Sequence, residues 1–252
     1  MNTEITNALK ATSDTAQYDN SAKRLLGNKY ILAQILVYTV DEFKGMQPLD
    51  VVPLIEGEPK IGIVPVEPGL TNERQGDKII GLNTENTEEK EGFIRFDIVF
   101  YARMRDGLTQ IIINVEAQTA FNPGYPLTKR AIYYCSRMIS AQHGPIFKKS
   151  EYGKIRKVYS IWVCTKPSDE FQNTLTRYSI CPEQLIGNAT EKSENYDLMS
   201  VVTICLGKPD SENYTGILKF LDVLLSSSRA ATEKKKILEE EFGVAMSDEL
   251  ER

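Results

Sequence analysis

Two acidic side chains, Asp97 and Glu116, stand in otherwise apolar runs at a spacing that lets them meet. Phe93–Met104 and Gln110–Gln118 are rich in β-branched and aromatic residues. Between them Arg105-Asp106-Gly107 carries an Asp-Gly turn signal, so the pair predicts a hairpin. Side chains alternate faces along a strand. Ile94, Phe96, Ile98 and Phe100 then share one face of the first strand, and Phe93, Arg95, Asp97 and Val99 share the other. On the second strand Ile111, Ile113, Val115 and Ala117 oppose Ile112, Asn114, Glu116 and Gln118. Antiparallel pairing across Asp106-Gly107 brings Asp97 and Glu116 together on one side. Carboxylates forced together in a half-buried place share a proton, bind a cation, or pair with Arg95 and other basic groups. A cation held by oxygens would suit Mg²⁺ or Mn²⁺. There it could activate water and neutralise charge on a scissile phosphate.

The elements that must position these residues are legible around them. Ser21–Lys44 has near-helical apolar spacing, is stopped by Gly45 and is followed by Pro48. Gly57–Gly92 is rich in Gly, Pro, Asn and Glu and predicts a long loop or a pair of short strands. After the hairpin, Pro126 can open a helix from Leu127 to about Phe147, whose regular part ends by Gly144-Pro145. Lys154–Thr165, Leu175–Cys181 and Leu198–Leu206 predict strands, and Ile217–Leu225 and Thr232–Phe242 predict helices, the last ended by Gly243. This order predicts an α/β fold with a mixed central β-sheet flanked by helices. The organisation expected is a disordered segment over 1–20, a domain over 21–230 with a loop insertion over 57–92, and a charged helix over 231–252.

Composition narrows the function classes. With 41% hydrophobic and 26% charged residues the 252-residue chain can bury a sizeable core. No apolar run approaches the roughly 20 residues of a membrane span, and the polar first 20 residues contain no secretory h-region. Cys135, Cys164, Cys181 and Cys205 form no CxxC pair and read as buried free thiols of a reducing, cytoplasmic protein. A lone His143 cannot build a histidine-rich metal site, and no GxxxxGK[ST], GxGxxG or GxSxG motif occurs. The net charge of −5 argues against a general nucleic-acid coat protein. Between Pro126 and Lys157, however, eight basic side chains face one acid, a local +7. That segment is either a solvated helix face with a charged loop or a phosphate-binding surface.

The run IRFDIVFY, followed by IINVEAQTAFNPGYPLTKRAIYYCSRMIS with Arg130–Tyr134 as RxxYY, resembles the PD-(D/E)XK nuclease family transposases, a recombination-promoting nuclease group of bacteria. The resemblance runs from the Ser21–Lys44 helix to the EKKKILEEEFG helix. It implies a restriction-endonuclease-like core in which Asp97 and Glu116 ligate a divalent metal, Mg²⁺ with Mn²⁺ as a substitute. The lysine usual two residues after the Glu is Gln118 here. Glutamine lacks the charge but can still hydrogen-bond a water, and related nucleases accept it. A further acidic ligand from the first helix would fall on Glu42, for which a plain surface role is the alternative. Arg130 and Tyr134 would touch phosphate or brace Glu116, with core packing an equal reading for Tyr134; Lys129 and Arg137 complete the candidate nucleic-acid contacts. The activity implied is metal-dependent DNA endonuclease action linked to recombination or mobile elements. The alternatives are a degenerate nuclease fold that binds DNA or protein without cutting, and an interaction module that does not act on DNA. Double-strand cleavage would favour a homodimer, although no dimer interface is legible.

Overall fold

The computed structural model describes residues 22–61, 85–88, 91–95, 97–104, 110–209, 211–226 and 229–244. The segment 1–20, most of the 57–92 loop, the Asp106-Gly107 turn and the end of the chain from 245 onwards lie outside the described residues.

The apolar stretch expected as one helix over Ser21–Lys44 is broken at Gly27-Asn28. A helical turn over 22–26 precedes the break. Asn28 then caps α1 (Lys29–Thr39), its side-chain oxygen accepting the Tyr30 N–H at 3.0 Å, which satisfies a donor that helix starts leave orphaned. A single 3₁₀ turn, Asp41–Phe43, and the short α2 (Pro48–Val51) follow. The chain then enters β1 (Ile55–Ile61), so the first residues of the expected 57–92 loop belong to a strand. A separate two-stranded sheet pairs β2 (Glu85–Glu88) with β3 (Glu91–Arg95).

The expected strand Phe93–Met104 is two strands. β3 ends at Arg95, the chain bends at Asp97, and β4 (Ile98–Arg103) joins the main sheet. It pairs antiparallel with β5 (Gln110–Gln118), Ile98 opposite Val115 and Val99 opposite Asn114. Then come α3 (Leu127–Ser140), β6 (Val158–Cys164), β7 (Thr174–Ser179), β8 (Met199–Cys205), α4 (Gly216–Leu225) and α5 (Ala231–Phe242). The main sheet has six strands in the order β1-β4-β5-β6-β8-β7. β5, β6 and β8 run parallel and the outer strands antiparallel.

Each face of the sheet buries its own core. Ile98, Phe100, Ile111, Ile113 and Val115 pack with Tyr159, Ile161, Val202 and Ile204 against α1 and α4. Val99, Ile112, Val158, Trp162 and Val201 pack against Leu127, Ala131, Tyr134 and Met138 of α3. A sheet covered on both faces reads as nearly continuous hydrophobic sequence, as β6 does with all seven residues buried. The charged C-terminal helix is tied in: Leu238 reaches the α1 core, and Gly243 at φ +63° ends the helix in the left-handed region.

Candidate active site

β5 carries Asn114, Glu116 and Gln118 on the face that meets α3, at the end of the strand where it leaves the sheet. Glu116 is 3% exposed. Asp97 sits at the bend that opens β4, so its side chain is held beside Glu116 rather than within the sheet. The two residues are joined reciprocally. The Asp97 N–H donates to Glu116 Oε1 at 2.8 Å, and Asp97 Oδ2 accepts the Ala117 N–H at 3.0 Å.

A buried polar relay supports Glu116 from below. Trp162 Nε1 donates to Ser160 Oγ at 2.8 Å, Ser160 donates to Asn114 Oδ1 at 2.9 Å, and Asn114 Nδ2 donates to Glu116 Oε1 at 2.7 Å. Asn114, Ser160 and Trp162 are essentially unexposed, so each polar group of the relay must find its partner within the protein. Lys23, from the turn over 22–26, places its Nζ 3.0 Å from Asp97 Oδ1.

Burial pushes the Glu116 carboxyl up to about 8, and the negative charge of Asp97 pushes the same way. The bonds from Asn114 and from the Asp97 N–H, with the nearby Arg130, pull it back down. A buried carboxyl beside a second carboxylate resists losing its proton unless a cation arrives. Gln118 is half-buried two residues beyond Glu116 on the same face. Among the described residues nothing hydrogen-bonds its side-chain amide, so that amide is available to a water.

Arg130 closes the α3 side. It donates through Nε and Nη2 to Tyr134 Oη at 3.1 and 2.6 Å and through Nη1 to Tyr125 Oη at 2.8 Å. Its guanidinium also lies 5.2 Å from the Trp162 ring centroid, an arrangement in which a cation gains from the aromatic face. Tyr134 is buried at 4% exposure with its ring 5.3 Å from Trp162, and burial pushes its phenol up to about 12.

The structure does not bring Glu42 to this centre. Glu42 accepts the Tyr159 hydroxyl at 2.6 Å and meets Lys157 at 3.3 Å. Tyr159 packs on the α1 face near the start of β6, whereas Glu116 pairs with Trp162 further along and faces α3. Glu42 instead lines a cleft of about 810 Å³ together with Lys154, Arg156, Lys157 and Asp197. Glu42 lies beyond the end of α1 at Thr39, in the 3₁₀ turn Asp41–Phe43, so the helical spacing that suggested it does not set its direction.

The basic segment is likewise divided. Arg137 is 4% exposed beneath α3, its Nη1 donating to Tyr133 Oη at 3.4 Å, and so is not presented to a nucleic acid. Lys157 is bound by Glu42 and Asp197, Lys154 pairs with Glu151, and Arg156 lies over the Tyr101 ring. Lys129, Lys148 and Lys149 are exposed. Lys154 is exposed as well, Arg130, Arg156 and Lys157 are half-buried and Arg137 alone is buried, so the local +7 is divided between the surface and partners within the fold.

Sequence reasoning missed Lys23 and the roles of Asn114, Ser160 and Trp162. The polar residues at every second position of β5 were the signal for Asn114; nothing in the sequence pointed to Lys23. Among the described residues no cluster of three or more His, Cys, Asp or Glu side chains gathers. The donor set is two carboxylates and a primary amide. Such hard oxygens fit Mg²⁺, which is commonly held by one or two carboxylates with water and substrate phosphate completing the shell.

Of the four cysteines Cys135, Cys164 and Cys205 are buried free thiols, but Cys181 is exposed because it lies just past the edge strand β7. Among the described residues no helix is long and apolar enough to cross a membrane.

A mixed six-stranded sheet flanked by helices, with an acidic residue entering one strand and another on its hairpin partner, is an α/β plan of the PD-(D/E)XK nuclease type. The family model described as PD-(D/E)XK nuclease family transposase matches residues 71–250, and the chain belongs to that family. The family is one of nucleases and implies DNA as the substrate. No curated protein and no solved structure matches the chain.

Proposed function

We propose that this chain is a divalent-metal-dependent DNA endonuclease that hydrolyses phosphodiester bonds during recombination or the movement of mobile elements. Asp97 and Glu116 are its metal ligands and Gln118 its water-positioning residue. The observation that carries this reading is the reciprocal bonding of Asp97 and Glu116. It fixes two carboxylates side by side where burial and repulsion favour a cation.

Bound Mg²⁺ would acidify a water and offset the charge that builds on the phosphate. The chain's own residues do the rest. Asn114 holds Glu116 in one orientation, and the amide of Gln118 orients a water beside it. Arg130 holds a fixed positive charge on the α3 side, where a phosphate can lie against it. Lys129, exposed on the same helix, is the outer phosphate contact.

The uncharged Gln118 favours a second reading, a fold that binds DNA without cutting it. Incubating purified protein with supercoiled plasmid in Mg²⁺ and in EDTA separates the two. Metal-dependent nicking supports the endonuclease; DNA binding with no nicking in Mg²⁺ or Mn²⁺ supports the binding module.

A further inference from the structure

On each candidate ligand one oxygen is committed to the scaffold. Glu116 Oε1 takes the bonds from the Asp97 N–H and Asn114, and Asp97 Oδ2 takes the bond from the Ala117 N–H. The other two oxygens, Glu116 Oε2 and Asp97 Oδ1, are those a metal would take, and Lys23 stands on Oδ1 at 3.0 Å. Its side chain and that of Asp97 are 23% and 16% exposed, so solvent reaches the contact.

Resting on the metal-site reading above, we propose that Lys23 is a resident counter-cation of this centre, occupying the Asp97 oxygen that a divalent ion needs, so that the ion binds by displacing it. Mg²⁺ requires oxygens at about 2.0–2.1 Å. An ion on Oδ1 would therefore lie within about 5 Å of an ammonium that had not moved, and like charges that close repel. The four-carbon stem of lysine lets the partly exposed ammonium swing away. Until then Lys23 balances the charge of Asp97, which the backbone holds beside Glu116.

The test is calorimetric titration of Mn²⁺ into the full chain without DNA, comparing wild type, Lys23→Gln, Lys23→Arg and Asp97→Asn. Removing the competitor in Lys23→Gln should tighten Mn²⁺ binding roughly three- to tenfold. Lys23→Arg keeps the charge and should not tighten it. Unchanged or weaker binding by Lys23→Gln, with wild type binding normally, overturns the displacement. Binding by no protein in the series overturns the metal site itself, a distinct failure in which Asp97→Asn matches wild type. Should Lys23→Gln fail to fold, a second measurement serves. The NMR signal of ¹³C-dimethylated Lys23, assigned by its loss in Lys23→Arg, should move toward that of a free lysine as Mg²⁺ is added. A signal that stays in place while other site resonances shift overturns the proposal.

Discussion

Asp97 and Glu116 hold each other through the backbone as well as facing each other: the Asp97 N–H binds Glu116 Oε1 at 2.8 Å, and Asp97 Oδ2 binds the Ala117 N–H at 3.0 Å. Neither carboxylate can turn away from the other without breaking a bond to the neighbouring strand. Preorganisation of this kind removes the cost of assembling ligands when a cation arrives.

The raised Glu116 predicts a pH dependence with a definite sign. The folded state keeps a proton on Glu116 up to about 8, while the unfolded chain releases it at the ordinary carboxylate value. Between those limits the folded state binds more protons, so stability falls as pH rises, by up to about 1.4 kcal/mol per pH unit. Urea denaturation in EDTA from pH 5 to pH 8 should show that fall, and Glu116→Gln should flatten it. An equally steep curve in the variant would place the titration elsewhere.

The relay below Glu116 makes Asn114 a positioning residue. Asn114→Ala removes a bond to Glu116 Oε1 and leaves the Ser160 hydroxyl without its acceptor. It should cost about 1–3 kcal/mol of stability and slow nicking more than it weakens DNA binding. A loss confined to DNA affinity would contradict the positioning role.

Burial separates two residues that sequence grouped together. Lys129→Ala should weaken DNA binding and lower the slope of log affinity against log salt by about 1. Arg137→Ala should leave that slope unchanged and cost about 1–3 kcal/mol of stability, because Arg137 is 4% exposed. Salt titrations of binding to a short duplex distinguish the cases.

The alternation of β4 and β5 was readable because a buried sheet makes period two visible: Ile98 and Ile113 fall in one core, Val99 and Ile112 in the other. The bend at Asp97 was not, because apolar residues flank it on both sides in sequence and only the change of sheet between β3 and β4 reveals it. The break before α1 hid behind continuous helical spacing, although Gly27-Asn28 carries the chemistry of a stop and a cap. Arg137 was misjudged because counting charge between Pro126 and Lys157 ignores the direction in which each side chain leaves the helix. The pairing of Lys23 with Asp97 joins distant parts of the chain and leaves no local periodicity to detect.

The most direct test of the account is plasmid nicking by the purified protein in Mg²⁺, in Mn²⁺ and in EDTA, with Asp97→Asn run alongside. The substitution keeps the side-chain shape and an acceptor for the Ala117 N–H while removing the ligand charge, so the fold should survive. The account predicts nicking by wild type in either metal, none in EDTA, and a loss of at least about a hundredfold in Asp97→Asn, in line with mutation of groups that stabilise transition-state charge. Nicking by Asp97→Asn at the wild-type rate would contradict it.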